Sequence, residues 1–349
     1  MTEAGAATYQ LARAHAPVAV PELDADQCRV VEHPGGPLLV LAGPGTGKTT
    51  TLVEAIVDRV ERGAQPDSVL ALTFSRKAAE QLRDRVTARL GRTTATSISS
   101  TFHSFAYQLV RRYAPAELYA APLRLLSAPE QDVVLQELLA DTPEAVRWPD
   151  SLRAAVGTRG FAREVHAVLA RARERGLDPE DLVALGRAEG VPEFEAAGAF
   201  MTQYLDNLGD QSAIDYADLV ARAVVEAELH RDELRARFTA VFVDEYQDTD
   251  PSQVRLLRSI AGDGRDLVVV GDPDQSIYGF RGADVRGILD FPHDFPQAGG
   301  AAAPVIALGT TRRFGSRLLT ASRSIAAGIG ITGAIPAGTY DAFRHPTPV

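Results

Sequence analysis

Cysteine is nearly absent. Cys28 is the single one in 349 residues, so no intramolecular disulfide can form and no cysteine-based metal site can be assembled. Long apolar runs are missing too: the longest are strand-length, well short of a membrane span. The first residues also lack a basic segment leading into a continuous apolar one. Neither export nor membrane anchoring is expected, and a reducing cytoplasm fits. There is no extended polar tract, and with 45% apolar and 23% charged residues the chain reads as globular with real burial. Basic charge is in deficit. The formal net charge of −10 predicts solubility and no general affinity for polyanions. It leaves room for a local basic groove, because counterion release depends on cations at the contact surface and not on the total. The length suggests about two or three domains.

What is present is a series of short apolar runs bounded by turns or polar residues: PLLVLA (37–42), VLALTF (69–74), AVFVD (240–244), DLVVVG (266–271) and PVIALG (304–309). Most are continuous, not alternating, which suits parallel strands covered on both faces. Leu52, Ile56 and Val60 follow the first run at four-residue spacing, and Ala78, Leu82 and Val86 follow the second. The fold class is therefore α/β, a parallel sheet flanked by helices. From about residue 105 to about 238 the strand signal vanishes and helical spacing takes over, as at Phe161, Val165, Val168 and Leu169. This predicts an all-helical insertion. Within it, residues 147–175 carry seven arginines against three acids. That balance suits a solvated helix face or a track for a polyanion, and the pattern does not choose between them. After residue 297 the chain turns Gly/Ala-rich, opens one more strand and helix, and no series follows to complete a second core.

LLVLAGPGTGKTTTLVEAI has the grammar of a phosphate-binding loop, in which a strand and a glycine-rich turn lead into a helix. Backbone N–H groups at Gly43, Gly45 and Gly47 would converge on phosphate oxygens, helped by the positive end of the helix dipole. Lys48 would reach the β- and γ-phosphates of ATP, and the Thr49 hydroxyl would take a place on Mg²⁺. The nucleotide-binding stretch is Ala42-Gly43-Pro44-Gly45-Thr46-Gly47-Lys48-Thr49-Thr50, with Ala42 standing where a glycine is usual. Some 196 residues later a second apolar strand ends in Asp244-Glu245. A carboxylate at a strand tip can hold a magnesium ion and its neighbour can deprotonate the attacking water, so Asp244 is assigned to the metal and Glu245 to the base. The long separation is what a helical insertion would create.

With these residues in place, LDADQCRVV, ALTFSRKAAEQLRDRV, STFHSFAYQLVRRY, VFVDEYQDTD and GDPDQSIYGFRGADVRGILDF become recognisable. From about residue 23 to about 320 the chain resembles the N-terminal half of the superfamily 1A DNA helicases of the UvrD, PcrA and Rep type. Within that family it leans toward the actinobacterial AdnAB-like helicase-nuclease branch. The resemblance implies that Gln27 reads adenine, that Gln275 senses the γ-phosphate, and that Arg313, in LGTTRRFGSRLL, is an arginine finger. It also implies that Phe74, Thr101, Phe102, His103, Tyr278, Phe280 and Arg281 line the path of single-stranded DNA. Aromatic rings would stack on any base there, at about 1–3 kcal/mol each. Two positions depart from the common pattern: Phe280 replaces a tryptophan, and Arg312 replaces the tyrosine that stacks on adenine, a task a guanidinium can also perform.

The resemblance implies a RecA-like P-loop NTPase core at 21–104 and 239–296, a helical insertion at 105–238, and the beginning of a second RecA-like core at 297–349. A flexible N-terminus would occupy 1–20. The implied activity is ATP- and Mg²⁺-dependent translocation, 3′-to-5′, on single-stranded DNA and ss/ds junctions. The protein would serve repair or recombination, cytoplasmic and nucleoid-associated. The 349-residue chain by itself is expected to bind nucleotide with weak or absent DNA-stimulated hydrolysis. Two other readings compete: an ATP-binding, non-translocating subunit docked to a helicase-nuclease partner, and an RNA-directed or small-substrate P-loop NTPase.

Overall fold

The computed structural model describes residues 20–91, 98–114, 123–141, 146–279, 282–330 and 333–349; all but the last residue of the expected flexible N-terminus lies outside them. The strands are β1 (Pro37–Leu41), β2 (Val69–Thr73), β3 (Ser99–Thr101), β4 (Arg124–Leu125), β5 (Ala213–Ile214), β6 (Ala240–Val243), β7 (Asp266–Gly271), β8 (Val305–Ala307), β9 (Thr310–Thr311) and β10 (Thr347–Pro348). Six of them form one parallel sheet in the order β3-β2-β6-β7-β1-β8. β4–β5 and β9–β10 are two-residue parallel pairs outside it.

Both faces of the sheet are buried, which is why its strands read as unbroken apolar runs. Leu39 and Leu41 of β1 pack on one side with Val241, Val243, Leu267 and Val269, whereas Leu38 and Val40 pack on the other with Phe242, Val268 and Val270. Helices α1 (Ala25–Val31), α2 (Lys48–Glu61) and α3 (Arg76–Leu90) cover the second side through Val30, Leu52, Ile56, Val60, Leu82 and Val86. Helix α4 (Phe102–Tyr113) starts the cover of the first side with Phe105, Leu109 and Val110.

The insertion has a core of its own. Helices α5 (Ala128–Ala140), α6 (Arg159–Glu174), α7 (Pro179–Glu189) and α8 (Pro192–Asp210) bury Leu135, Leu139, Phe161, Val165, Leu169, Leu182, Phe200 and Tyr204 together. Its hydrophobic cluster runs from Leu126 to Ala213, narrower than the 105–238 read from helical spacing. α4, α9 (Tyr216–Leu229) and α10 (Arg231–Arg237) are helical too, but their apolar faces (Phe105, Leu219, Ala223, Val224 and Leu234) pack into the sheet's cluster. Periodicity says that a face is buried and not against what. α11 (Pro251–Ala261) and α12 (Arg286–Asp294) complete that layer.

The stretch expected to open a second core adds to the first. β8 pairs with β1 at the sheet edge, Leu39 opposite Val305 and Leu41 opposite Ala307. Beyond α13 (Ser316–Ala326), α14 (Ala337–Arg344) sends Tyr340 and Phe343 into the first core's cluster. Each such buried side chain contributes roughly 1.5–3 kcal/mol. Arg344 then locks the helix down, its Nε and Nη2 donating to Asp274 Oδ2 and Oδ1 at 2.9 and 2.6 Å.

Candidate nucleotide and DNA site

The carboxyl ends of β1, β6 and β7 are neighbours in the sheet, so the loops leaving them converge. The loop after β1 runs into α2, whose N-cap Gly47 has φ +88°. That loop is tied internally by Thr46 Oγ1 donating to the Gly43 carbonyl at 2.8 Å. Ala42 is fully buried, and its N–H donates to the carbonyl of Gly271 at the end of β7. Lys48 Nζ donates to Glu245 Oε2 at 2.6 Å, which brings the two elements read from sequence to one point. Glu245 holds φ +52°, a left-handed conformation that costs a non-glycine residue about 1–3 kcal/mol and concentrates at functional sites. The bend is stabilised by its own N–H donating to Asp244 Oδ1 at 3.0 Å.

Asp244 is 9% exposed, and burial, followed by the negative charge of Glu245, raises its pKa to about 6; Lys48 pulls the other way. A buried carboxylate with so little positive charge beside it suits a cation, and the Thr49 hydroxyl at the start of α2 adds a second hard oxygen. The donor set fits Mg²⁺. The converging loop fits a polyphosphate, with Glu245 holding the ammonium that a phosphate would otherwise engage.

A residue that motif reading passed over joins the two ends. Gln247 is buried; its Nε2 donates to Glu245 Oε2 at 2.8 Å while its Oε1 accepts the N–H of Asp272 at 2.9 Å. It stands in the quoted DEYQDTD stretch, but nothing in spacing alone marks it as a bridge. Gln275 donates its side-chain amide to Asp272 Oδ2, and burial raises the Asp272 pKa to about 6. Three residues past Gln275, the ring of Tyr278 stacks on Phe74 with centroids 4.8 Å apart. A cavity of about 290 Å³ connects the ends, lined by Asp244, Glu245, Gln247, Gln275, Phe74 and Tyr278 among others.

Residues 23–296 match the UvrD/REP helicase N-terminal domain family. The chain belongs to that family. It is 31% identical over 277 residues to the ATP-dependent DNA helicase PcrA of Leuconostoc citreum, covering 78% of this chain and 35% of the relative. The same identity holds over 309 residues to DNA helicase II of Escherichia coli K12, covering 87% and 40%. It holds again over 318 residues to the ATP-dependent DNA helicase UvrD1 of Mycobacterium bovis, covering 87% and 39%. The chain thus spans 35–40% of the length of these curated relatives.

In this UvrD/REP domain the remaining predicted residues fall as follows. Gln27 does lie on the phosphate loop, but its amide is engaged: Oε1 accepts the Asp24 N–H in a capping box for α1, and Nε2 donates to the Thr46 carbonyl at 3.1 Å. Arg312 N donates to the Gly45 carbonyl, and a Cβ on Gly45 would lie 2.3 Å from Arg313 Cβ, so the pair passes directly over the loop. The Arg312 guanidinium pairs with Asp24 at 3.2 Å. Thr311 Oγ1 donates to Pro44 O at 2.9 Å. Thr50 sits in the first turn of α2.

On the groove side, Thr101 is the N-cap of α4, accepting the Ser104 N–H, and Phe102 is buried in the core cluster; both side chains have structural work to do. His103 faces the Tyr216 ring edge-on at 5.1 Å, and burial lowers its pKa, favouring the neutral imidazole. With Phe74 and Tyr216 it borders two adjoining cavities of about 590 and 600 Å³. Phe280 and Arg281 lie outside the described residues. Of the seven insertion arginines, 147, 153, 159, 163 and 175 are exposed, whereas Arg173 turns inward to Asp218 and the half-exposed Arg171 reaches the loop after β7. Among the described residues no helix is long and apolar enough to cross a membrane.

Proposed function

We propose that this chain is the first motor core of an ATP-dependent DNA helicase that moves 3′-to-5′ on single-stranded DNA in repair or recombination, from a cytoplasmic, nucleoid-associated location. The observation that carries this reading is the continuous chain Lys48–Glu245–Gln247–Asp272–Gln275, which ends three residues from the stacked Phe74–Tyr278 pair. Loss of a phosphate at one end is thereby felt as a change of hydrogen bonding at the other.

Thr49 and Asp244 would hold Mg²⁺, which supplies charge neutralisation on the β- and γ-oxygens. Lys48 would leave Glu245 for the nucleotide, freeing Glu245 to accept a proton from water. Gln275 would report the γ-phosphate, and Arg313 would approach it from beside Gly45. Tyr278 and Phe74 would part to admit a base, at single strands and at ss/ds junctions. The experiment is phosphate release by the chain within an assembled motor, with single-stranded DNA, with RNA and without nucleic acid, since by itself the chain is expected to be stimulated weakly or not at all. Stimulation by DNA alone supports the reading; equal or greater stimulation by RNA, or none in any assembly, overturns it.

A second reading is favoured by Arg312. Where the family's pattern has an adenine-stacking ring, this guanidinium is paired with Asp24, which suits an ATP-binding, non-translocating subunit docked to an active helicase-nuclease partner. If Lys48→Ala and Glu245→Gln leave the assembled complex fully active, this second reading replaces the first.

A further inference from the structure

Arg171, in the last turn of α6 in the insertion, reaches across to the loop after β7. Its Nη1 donates to the Gly282 carbonyl at 3.0 Å and its Nη2 to the Gly279 carbonyl at 3.2 Å. That loop is also closed on itself, by Gly282 N–H to the Gly279 carbonyl and Ala283 N–H to the Tyr278 carbonyl. From the insertion side Arg171 is steadied by Glu174, 3.1 Å away. The Glu174 carboxylate occupies the space that a side chain at residue 282 would need: Gly282 has φ +93°, and a Cβ there would lie 2.3 Å from Glu174 Oε1. The turn carrying both residues is itself fixed to the core. Ser252 Oγ donates to the Glu174 carbonyl at 2.8 Å, and Arg173 Nη2 donates to Asp218 of α9 at 2.6 Å.

We propose that Arg171 is a positioning residue for the groove. By holding two carbonyls of the loop it sets the backbone at Tyr278, and so the ring that stacks on Phe74, from a different subdomain. This rests on the reading of that groove as a single-strand path. A planar fork holds two carbonyls with parallel donors in one fixed geometry, which a rotatable ammonium does not reproduce. The insertion then does more than border the groove: a shift of α6 moves the base-gripping ring.

The test compares wild type, Arg171→Lys and Arg171→Ala by hydrogen–deuterium exchange of the peptide covering 276–284, and by anisotropy of a fluorescent oligothymidylate across a salt series. Melting and binding of a fluorescent ATP analogue serve as controls. Exchange in that peptide should quicken about tenfold in both variants. Oligothymidylate affinity should fall about tenfold, with lysine not rescuing, nucleotide affinity within about twofold, and an unchanged slope of log K against log salt. A slope reduced by about one unit would mean that Arg171 contacts a phosphate directly and would overturn the proposal. So would unchanged exchange, or full rescue by lysine. If the wild type binds no oligothymidylate the groove reading fails by itself, and the exchange result still decides whether Arg171 orders the loop. If the alanine variant does not fold, the lysine variant carries both measurements.

Discussion

At the residue scale, Glu245 is asked to do two things that conflict. In the structure it holds Lys48 and accepts from Gln247, yet its proposed role as base needs it free to take a proton from water. Glu245→Gln keeps the shape and removes the basicity. Turnover should fall by roughly 10²–10⁴-fold, the usual contribution of a positioned base, while nucleotide binding persists; steady-state phosphate release and equilibrium binding measure the two separately. Gln247 poses a different test. Truncation to alanine leaves the buried Asp272 N–H without its acceptor, a loss of about 1–3 kcal/mol readable in urea unfolding. It also cuts the link between Glu245 and the loop after β7. The ratio of DNA-stimulated to basal phosphate release should collapse toward one in Gln247→Ala. A retained ratio would mean that the coupling runs elsewhere.

At the element scale, α6 brings Glu174 against the core, where burial raises its pKa to about 7, with the nearby Asp250 carboxylate pushing the same way and Arg171 and Arg175 opposing. Asp250, the N-cap of α11, is raised to about 6 by burial. Both are acids whose folded pKa lies above the unfolded one, so the native state binds more protons between those values and stability falls as pH rises. The urea midpoint should therefore decline from pH 5 to pH 8. Glu174→Gln should flatten that decline, and a wild-type midpoint that rises over this range would contradict the sign. The same elements show what the sequence could and could not disclose. The strands β1, β2, β6, β7 and β8 were legible because burial on both faces writes an unbroken apolar run. β3, spelled Ser-Ser-Thr at the sheet edge, has no such run and was not. That the loop after β1 meets the Asp244-Glu245 corner was legible because a glycine-rich turn between strand and helix and paired acids at a strand tip both mark the carboxyl edge of a parallel sheet. Gln247 and the reach of Arg171 were hidden, since a hydrogen bond to a distant backbone group leaves no periodic trace.

At the scale of the whole molecule, the sheet's two hydrophobic layers share its strands, the insertion keeps a separate core, and the last residues act as a further tie on the first core. Arg344 and Asp274 are the charged part of that tie, with side chains 9% and 17% exposed, and the Tyr340 hydroxyl also donates to Asp274. Partial burial strengthens the attraction and raises the cost of separating the pair. Arg344→Ala would leave the largely enclosed Asp274 carboxylate with the Tyr340 hydroxyl as its remaining side-chain donor among the described residues. We expect a loss of about 2–3 kcal/mol in urea unfolding, the lower side of what breaking a buried pair costs, because Asp274 retains some contact with water. Arg344→Ala combined with Asp274→Asn removes the stranded charge, so the double variant should recover much of the loss. A single-variant loss under about 0.5 kcal/mol would mean that Tyr340 and Phe343 hold α14 by packing alone. Asp274 lies between Asp272 and Gln275, so a loosened α14 should also disturb the end of the hydrogen-bonded chain. The DNA-stimulated rate of Arg344→Ala should drop further than its basal rate if the tail steadies that end, and the two should drop together if it does not.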